Sequence, residues 1–525
     1  MNDGPITTDP TATVEPGPEA TADAAATSEP ASATDPAPTA PVAPAPAPAE
    51  RVRRFGVASI LFVVLGAIFG AAFAVLTPPF WGHDEITQFG RAYQVAHGGF
   101  TPQEIHDNRA VAYGGQVPAS IDALMDYALD DYRHNEKEPQ PMVADPGGYD
   151  RLEGAAVGGP GVDEWFTNTA AYSPVPYAPI AAGLRIAQAL DLDVGGTVLA
   201  ARLAGLAAYL ALAGFALHAL RGHRIAWLAF TLALLPIAMF QAGTVTADTV
   251  TNGMALLFSA LFVKAVFLRA RLSKPESLVL LASVLALPLC KPTYFLLAML
   301  VVFVPRDRLS GLPAVRWVPQ LTALVGLGLF GLWTKISSGT TEGMGLMRPQ
   351  SQWYSVIPAD QMQGILSDPL GFLDTFYRTL VYRDQLYFVQ FFGELGFGYV
   401  DVPATAIVLA LTAIILSFGI AERFDPRRWS TTATTLVVLL SVGMIFGTLY
   451  LSFSPVGFYI IDGVQGRYFL PLAFVGFAVL LRWIPLRVTG SDGRAPGRAV
   501  PIAIVLLTVG SLVATLLKYH TVVWG

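Results

Sequence analysis

Charge is what this chain has least of. Only 14% of its 525 residues are Asp, Glu, Lys or Arg, against 53% hydrophobic, and the mean hydropathy is +0.50. Soluble proteins carry about a quarter charged residues. The deficit excludes an ordinary soluble enzyme and points to a chain whose solvent is largely lipid. Cysteine is scarcer still. The single Cys290 excludes a disulfide framework and a cysteine-ligated metal. Set in an apolar run, it reads as a small buried hydrophobe. An excess of positive charge is also missing: the net charge is −6 and the pI about 5.7, which removes the electrostatic case for nucleic acid.

Residues 1–50 lack aromatics and are rich in Ala, Pro, Thr and Glu. Such a stretch cannot bury enough apolar surface to offset its ordering entropy, so a disordered cytoplasmic tail is expected. With no basic start followed by an apolar core, it is not a signal peptide. Arg51, Arg53 and Arg54 then precede an apolar run over 55–77, long enough to cross a bilayer and oriented with the N-terminus inside. Residues 78–175 are polar, acidic and marked by glycine turns. Further apolar segments follow at roughly 197–219, 224–242, 246–268, 276–290, 292–304, 316–336, 403–420, 431–453, 468–484 and 499–517. The segments at 276–290 and 292–304 flank Lys291-Pro292 and read as short or broken helices.

The segment 176–190 is either a further crossing or a surface helix. If it lies on the surface, Arg221/Arg224, Arg269/Arg271/Lys274, Arg306/Arg308/Arg316, Arg423/Arg427/Arg428 and Arg482/Arg487/Arg494/Arg498 all fall inside; if it crosses, all fall outside. Short loops favour the first arrangement. The expectation is therefore an all-α polytopic plasma-membrane protein with about eleven spans over 51–525, N-terminus inside and C-terminus outside. Four regions would share the outer face: 78–196 as a large first loop with surface helices, the turn 241–248, a second large loop at 337–402, and 454–467.

Charged residues that break this pattern are candidates for chemistry. Asp84 and Glu85 lie just outside the first span in the stretch PPFWGHDEITQFGRAY, where a carboxylate can act as a base toward a hydroxyl acceptor. Arg91, in the same stretch, is a candidate substrate contact. The bland alternative for the acidic pair is helix capping. Asp248 follows QAGTVTA and also reads as an N-cap. Lys291 interrupts an apolar run, either as a functional cation or as a snorkelling lysine. Arg467, in GVQGRYFLP, is a cation on the outer side, suited to grip a phosphate or else to pair with Asp462. Gln465 and Tyr468 would line the same mouth. Carboxylates plus two cations on one face suit transfer from a phosphate-linked donor to a hydroxyl, because phosphate departs as a stabilised anion.

The stretches PPFWGHDEITQFGRAYQVAHGG, YSPVPYAPIAAGLRIAQALDLDVGGTVLAARLAGL, QAGTVTADTVTNGMA, LCKPTY and GVQGRYFLPL, in this order over 55–484, resemble the bacterial membrane family called "domain of unknown function 2142". That family is similar in layout to GT-C glycosyltransferases, which take a sugar from a polyprenyl-phosphate lipid and usually invert it. The resemblance implies a GT-C-like bundle, Asp84 as catalytic base with Glu85 as helper or orienter, Lys291 and Arg467 on the donor phosphate, Asp248 at a recurring acidic position, and a glycan or lipid acceptor. The family often has a histidine where this chain has Gln88; His83 precedes the acidic pair instead. No cofactor is expected. A divalent cation would need Asp84, Glu85 and Asp248 to converge. The alternatives are a flippase or transporter of lipid-linked sugars, a polysaccharide polymerase or ligase using the 337–402 loop, and a membrane scaffold that docks partners through its acidic loop.

Overall fold

The computed structural model describes residues 56–134, 141–311, 315–396, 400–424, 428–484, 486–488 and 497–525. The expected tail, the arginines at 51, 53 and 54, and Arg427 and Arg494 of the basic clusters lie outside these. The described chain is mostly helical. Five helices are long and apolar enough to cross a membrane: α1 (Val57–Leu76), then Val194–Ala219, Ala247–Val266, Trp429–Ser452 and Ala499–Val523. Val318–Ile336 and Ser338–Met347, bent by 59°, make a sixth if counted as one span. The other expected crossings are short or broken apolar helices, among them Pro292–Phe303, Ala404–Ile420 and Gly466–Leu480.

The expected span at 224–242 is broken into Ala226–Ala233 and Pro236–Ala242. Pro236 has no N–H to continue the ladder, and the residue before it, Leu235, is driven to an extended conformation (ψ 144°). The segment expected to lie on the surface forms Ala178–Ala189, about 18 Å long and too short to cross. The 337–402 region contains Pro369–Phe392, a 24-residue helix capped by Asp368, whose carboxylate accepts from Gly371 N at 2.9 Å.

Residues 78–175 fold around a three-stranded antiparallel sheet: β1 (Glu104–Ile105), β2 (Ala112–Pro118) and β3 (Gly161–Trp165), with Gly114 opposite Trp165 and Pro118 opposite Gly161. α2 (Glu85–Ala96) and α3 (Ala119–His134) pack against it, and α4 (Pro146–Glu153) packs against α3.

The helix ends gather on two faces. On one, a Cβ on Gly56 would lie 3.0 Å from Arg221. There Arg221 and Lys264 share Glu276, at 3.9 and 2.7 Å, and Glu422 accepts from the backbone N–H of Arg224 and Ile225. On the other, Met142 N and Val143 N donate to Val522 O and Val523 O at 3.0 Å, and Trp524 Nε1 donates to Leu76 O at 2.7 Å. The C-terminal helix thus ends on the face that carries the 78–175 region.

Candidate functional site

The chain leaves α1 through Pro78-Pro79 and turns into α2 at His83-Asp84-Glu85. Asp84 adopts the left-handed conformation (φ 52°, ψ 26°), uncommon for a residue with a side chain but least costly for Asn and Asp. It occupies the N-cap position, yet its side chain makes no capping bond. The capping reading therefore fails. The carboxylate instead stands 40% exposed with Arg467 Nη2 at 3.4 Å.

Glu85 is placed differently. Its carboxylate is fully buried and takes four hydrogen bonds: Arg202 Nε at 2.8 Å, Arg202 Nη2 at 2.7 Å, Gly82 N at 2.8 Å and Val245 N at 2.8 Å. Every strong acceptor direction is occupied, so Glu85 has no lone pair left for a substrate proton. Of the two roles expected, helper or orienter, this bonding suits the second: Glu85 clamps the turn preceding Asp84 to the 241–248 turn. Arg91 is corrected more completely. Buried, its guanidinium binds Gln94 Oε1 and the carbonyls of Gly99 (2.9 Å), Phe100 (2.8 Å) and Tyr172 (3.2 Å), tying loops together, while its Nε has no hydrogen-bond partner among the described residues. Gln88 accepts from Tyr177 OH at 2.6 Å and Ala247 N at 3.1 Å, so this amide also staples α2 to its neighbours.

Asp248, unlike Asp84, does not stand at the N-cap position. Thr246 caps the helix, accepting from Asp248 N at 3.2 Å, which frees the Asp248 carboxylate to pair with Lys291 and accept from Gln241 Nε2 at 2.9 Å. Lys291, extended where the preceding helix stops before Pro292, has its ammonium 5.3 Å from the centre of the Tyr172 ring and 5.1 Å from that of Tyr468. The Arg467 guanidinium lies 5.5 Å from the same Tyr468 ring. The Tyr468 ring thus lies within cation–π reach of both cations.

Arg467 does not pair with Asp462, which binds Arg348 at 2.7 Å and lies 3.8 Å from Arg383. Buried Arg467 Nε and Nη1 have no hydrogen-bond partner among the described residues. A buried guanidinium with two unpartnered nitrogens is costly unless a ligand completes it. The turn that delivers it depends on Gly466: a Cβ there would sit 2.1 Å from Tyr387 O, and Gly466 N donates to Gln390 Oε1 at 2.8 Å. Beside Arg467, a cavity of about 10 Å³ is lined by His83, Ile237, Gln390, Glu394 and Gln465, room for about one water. His83 Nε2 donates to Glu394 O at 2.7 Å, and its Nδ1 has no partner among the described residues. Burial first, and then the Arg467 cation, hold the His83 pKa well below its usual value, so the ring is neutral.

Asp84, Asp248, Lys291, Gln465, Arg467 and Tyr468 therefore meet in one place, joined by Tyr172, Gln241, His83, Gln390 and Glu394. The three acidic candidates are each committed to a different cation, so they do not converge as ligands of a metal, and no step is derived through one.

Apolar crossing helices with a charged cluster at their ends define an integral membrane protein. Within that class, the chain belongs to the family described as predicted membrane protein (DUF2142), whose model matches residues 67–475. No curated protein and no solved structure matches the chain.

Proposed function

We propose that the protein is a GT-C-type glycosyltransferase. It moves a sugar from a polyprenyl-phosphate donor to a cell-envelope glycan or lipid acceptor at the outer face of the plasma membrane. The observation that carries this reading is a half-exposed carboxylate 3.4 Å from an arginine with two unpartnered nitrogens. The donor phosphate would take up the free donors of Arg467, with Lys291 beside it. That contact competes with the Asp84–Arg467 pair and releases the carboxylate toward the acceptor. The acceptor oxygen then bonds to the anomeric carbon as the bond to the phosphate oxygen breaks. The hydroxyl proton passes to Asp84, the phosphate keeps the electron pair, and attack opposite the leaving group inverts the centre. Gln465 and Tyr468 line the mouth.

The basic face is assigned to the cytoplasm by the positive-inside rule, which puts the site and the C-terminus outside. The short and broken apolar helices complete about eleven crossings. A transporter would place its polar groups at the midplane on broken helices. Here Asp84, Asp248, Lys291 and Arg467 all sit at helix ends. In membranes, Asp84→Asn is expected to accumulate normally and to lose about 10²–10⁴-fold in transfer from a polyprenyl-phosphate sugar. Undiminished transfer would refute the base assignment.

A further inference from the structure

We infer that the protein carries a second ligand site, separate from the Asp84–Arg467 pocket, for the neutral, hydroxyl-rich head group of a membrane glycolipid. A cavity of about 350 Å³ opens at the end of α1, between that helix, α4 and the start of the Val194–Ala219 helix. Small-molecule sites begin at about this size. One rim is apolar, with Leu199 and Val75, the latter 66% exposed beside the bilayer-facing side of α1. The other rim is acidic, with Glu153 and Asp193. Glu153 makes no hydrogen bond or ion pair among the described residues. Asp193 gives one oxygen to Gly196 N at 2.7 Å and has the other free. Thr77, on the same wall, holds a buried hydroxyl near that of Tyr519, and neither closes a hydrogen bond among the described residues.

The cation in this wall decides the ligand class. All five N–H groups of Arg202 are committed: to Glu85, to Ala74 O (2.9 Å) and Thr77 O (2.7 Å), and to Pro78 O (2.9 Å). Nothing is left to neutralise a phosphate, and the two carboxylates would repel one. Hydroxyls, by contrast, donate to carboxylates in strong charge-assisted bonds. Trp524 lines the cavity with its indole N–H already donated to Leu76 O, so its ring offers an apolar face to the C–H side of a sugar. The apolar-to-acidic gradient orients an amphiphile tail-inward and head-outward. Binding here does not depend on the transfer reading; if that reading holds, this is where a lipid acceptor would dock.

The test uses the full chain in phosphatidylcholine nanodiscs with radiolabelled glucosyl-diacylglycerol as probe. Saturable binding is expected, displaced by unlabelled glycolipid and not by phosphatidylglycerol or a cationic lipid. The double variant Glu153→Gln/Asp193→Asn should bind about tenfold more weakly. It should keep the melting temperature, because Asn caps a helix as well as Asp does. Leu199→Trp should fill the cavity and also abolish binding, whereas Asp84→Asn should bind as the parent does, whatever its transfer activity. Equal displacement by phosphatidylglycerol or by the cationic lipid, or unchanged affinity in the double variant and in Leu199→Trp, would overturn the assignment.

Discussion

Asp84 and Glu85 each meet an arginine from a distant part of the chain, and the two encounters differ in every physical respect. Glu85 and Arg202 are both buried, bonded bidentately at 2.7 and 2.8 Å, and their remaining valences are filled by backbone groups. Asp84 and Arg467 share one contact at 3.4 Å, with the carboxylate 40% exposed and two guanidinium nitrogens unpartnered among the described residues. A closed pair holds architecture: it fixes α1, α2 and the 241–248 turn against one another. An open pair keeps capacity for a ligand. A motif of two adjacent acids is thus divided between a closed pair and an open one, and the division follows from the partners, not from the residue types.

The largest effect that would break this comparison comes from the closed pair. Glu85→Gln leaves Arg202 buried without its counter-charge, a loss of about 3–5 kcal/mol. The variant is expected to fall sharply in membrane abundance and in detergent melting temperature. Parental abundance and melting would mean that the pair is not structural. Next is the open pair. Arg467→Ala should leave abundance near the parent's but raise the apparent donor KM about tenfold or more, the value of charge-assisted hydrogen bonds to a phosphate. An unchanged donor KM would remove Arg467 from the phosphate site.

The smallest effect concerns a carboxylate with no cation at all. Glu164, in β3, is pushed up to about 7 by burial and then by the neighbouring Asp122 and Asp126. A carboxyl pKa raised in the folded state contributes stability that is full below the unfolded value near 4.5 and is lost as pH rises through about 7. Glu164→Gln should therefore melt with the parent at pH 4 and above it at pH 8. A gain of about 1–2 kcal/mol allows for partial solvation. Equal melting at both pH values would show that the sheet pays nothing for this charge.

What was legible in the sequence was local. Apolar runs marked most helices, and the break at Lys291-Pro292 predicted the short helices around it. Charges out of place marked Asp84, Asp248, Lys291 and Arg467. The helix Pro369–Phe392 escaped because Asp374, Arg378, Arg383 and Asp384 interrupt its apolar pattern. The roles of Glu85 and Arg91 were hidden because their partners are largely backbone groups or residues far along the chain. Arg202 was missed, although it left a signal: a lone arginine inside the apolar stretch VLAARLAGL, whose partner Glu85 lies 117 positions away. His83 and Glu394 meet across 311 positions through a main-chain carbonyl, which no residue type announces.

The left-handed backbone at Asp84 bears on how natural variation at this position should be read. Glycine, asparagine and aspartate are the residues that adopt φ near 52° at least cost, so the turn alone narrows the choice before any reaction is considered. Invariance of an aspartate here would be overdetermined, one half of it owed to chain geometry. Homologues that carry glycine or asparagine at this position would retain the turn without the carboxylate, and they separate inherited shape from retained activity.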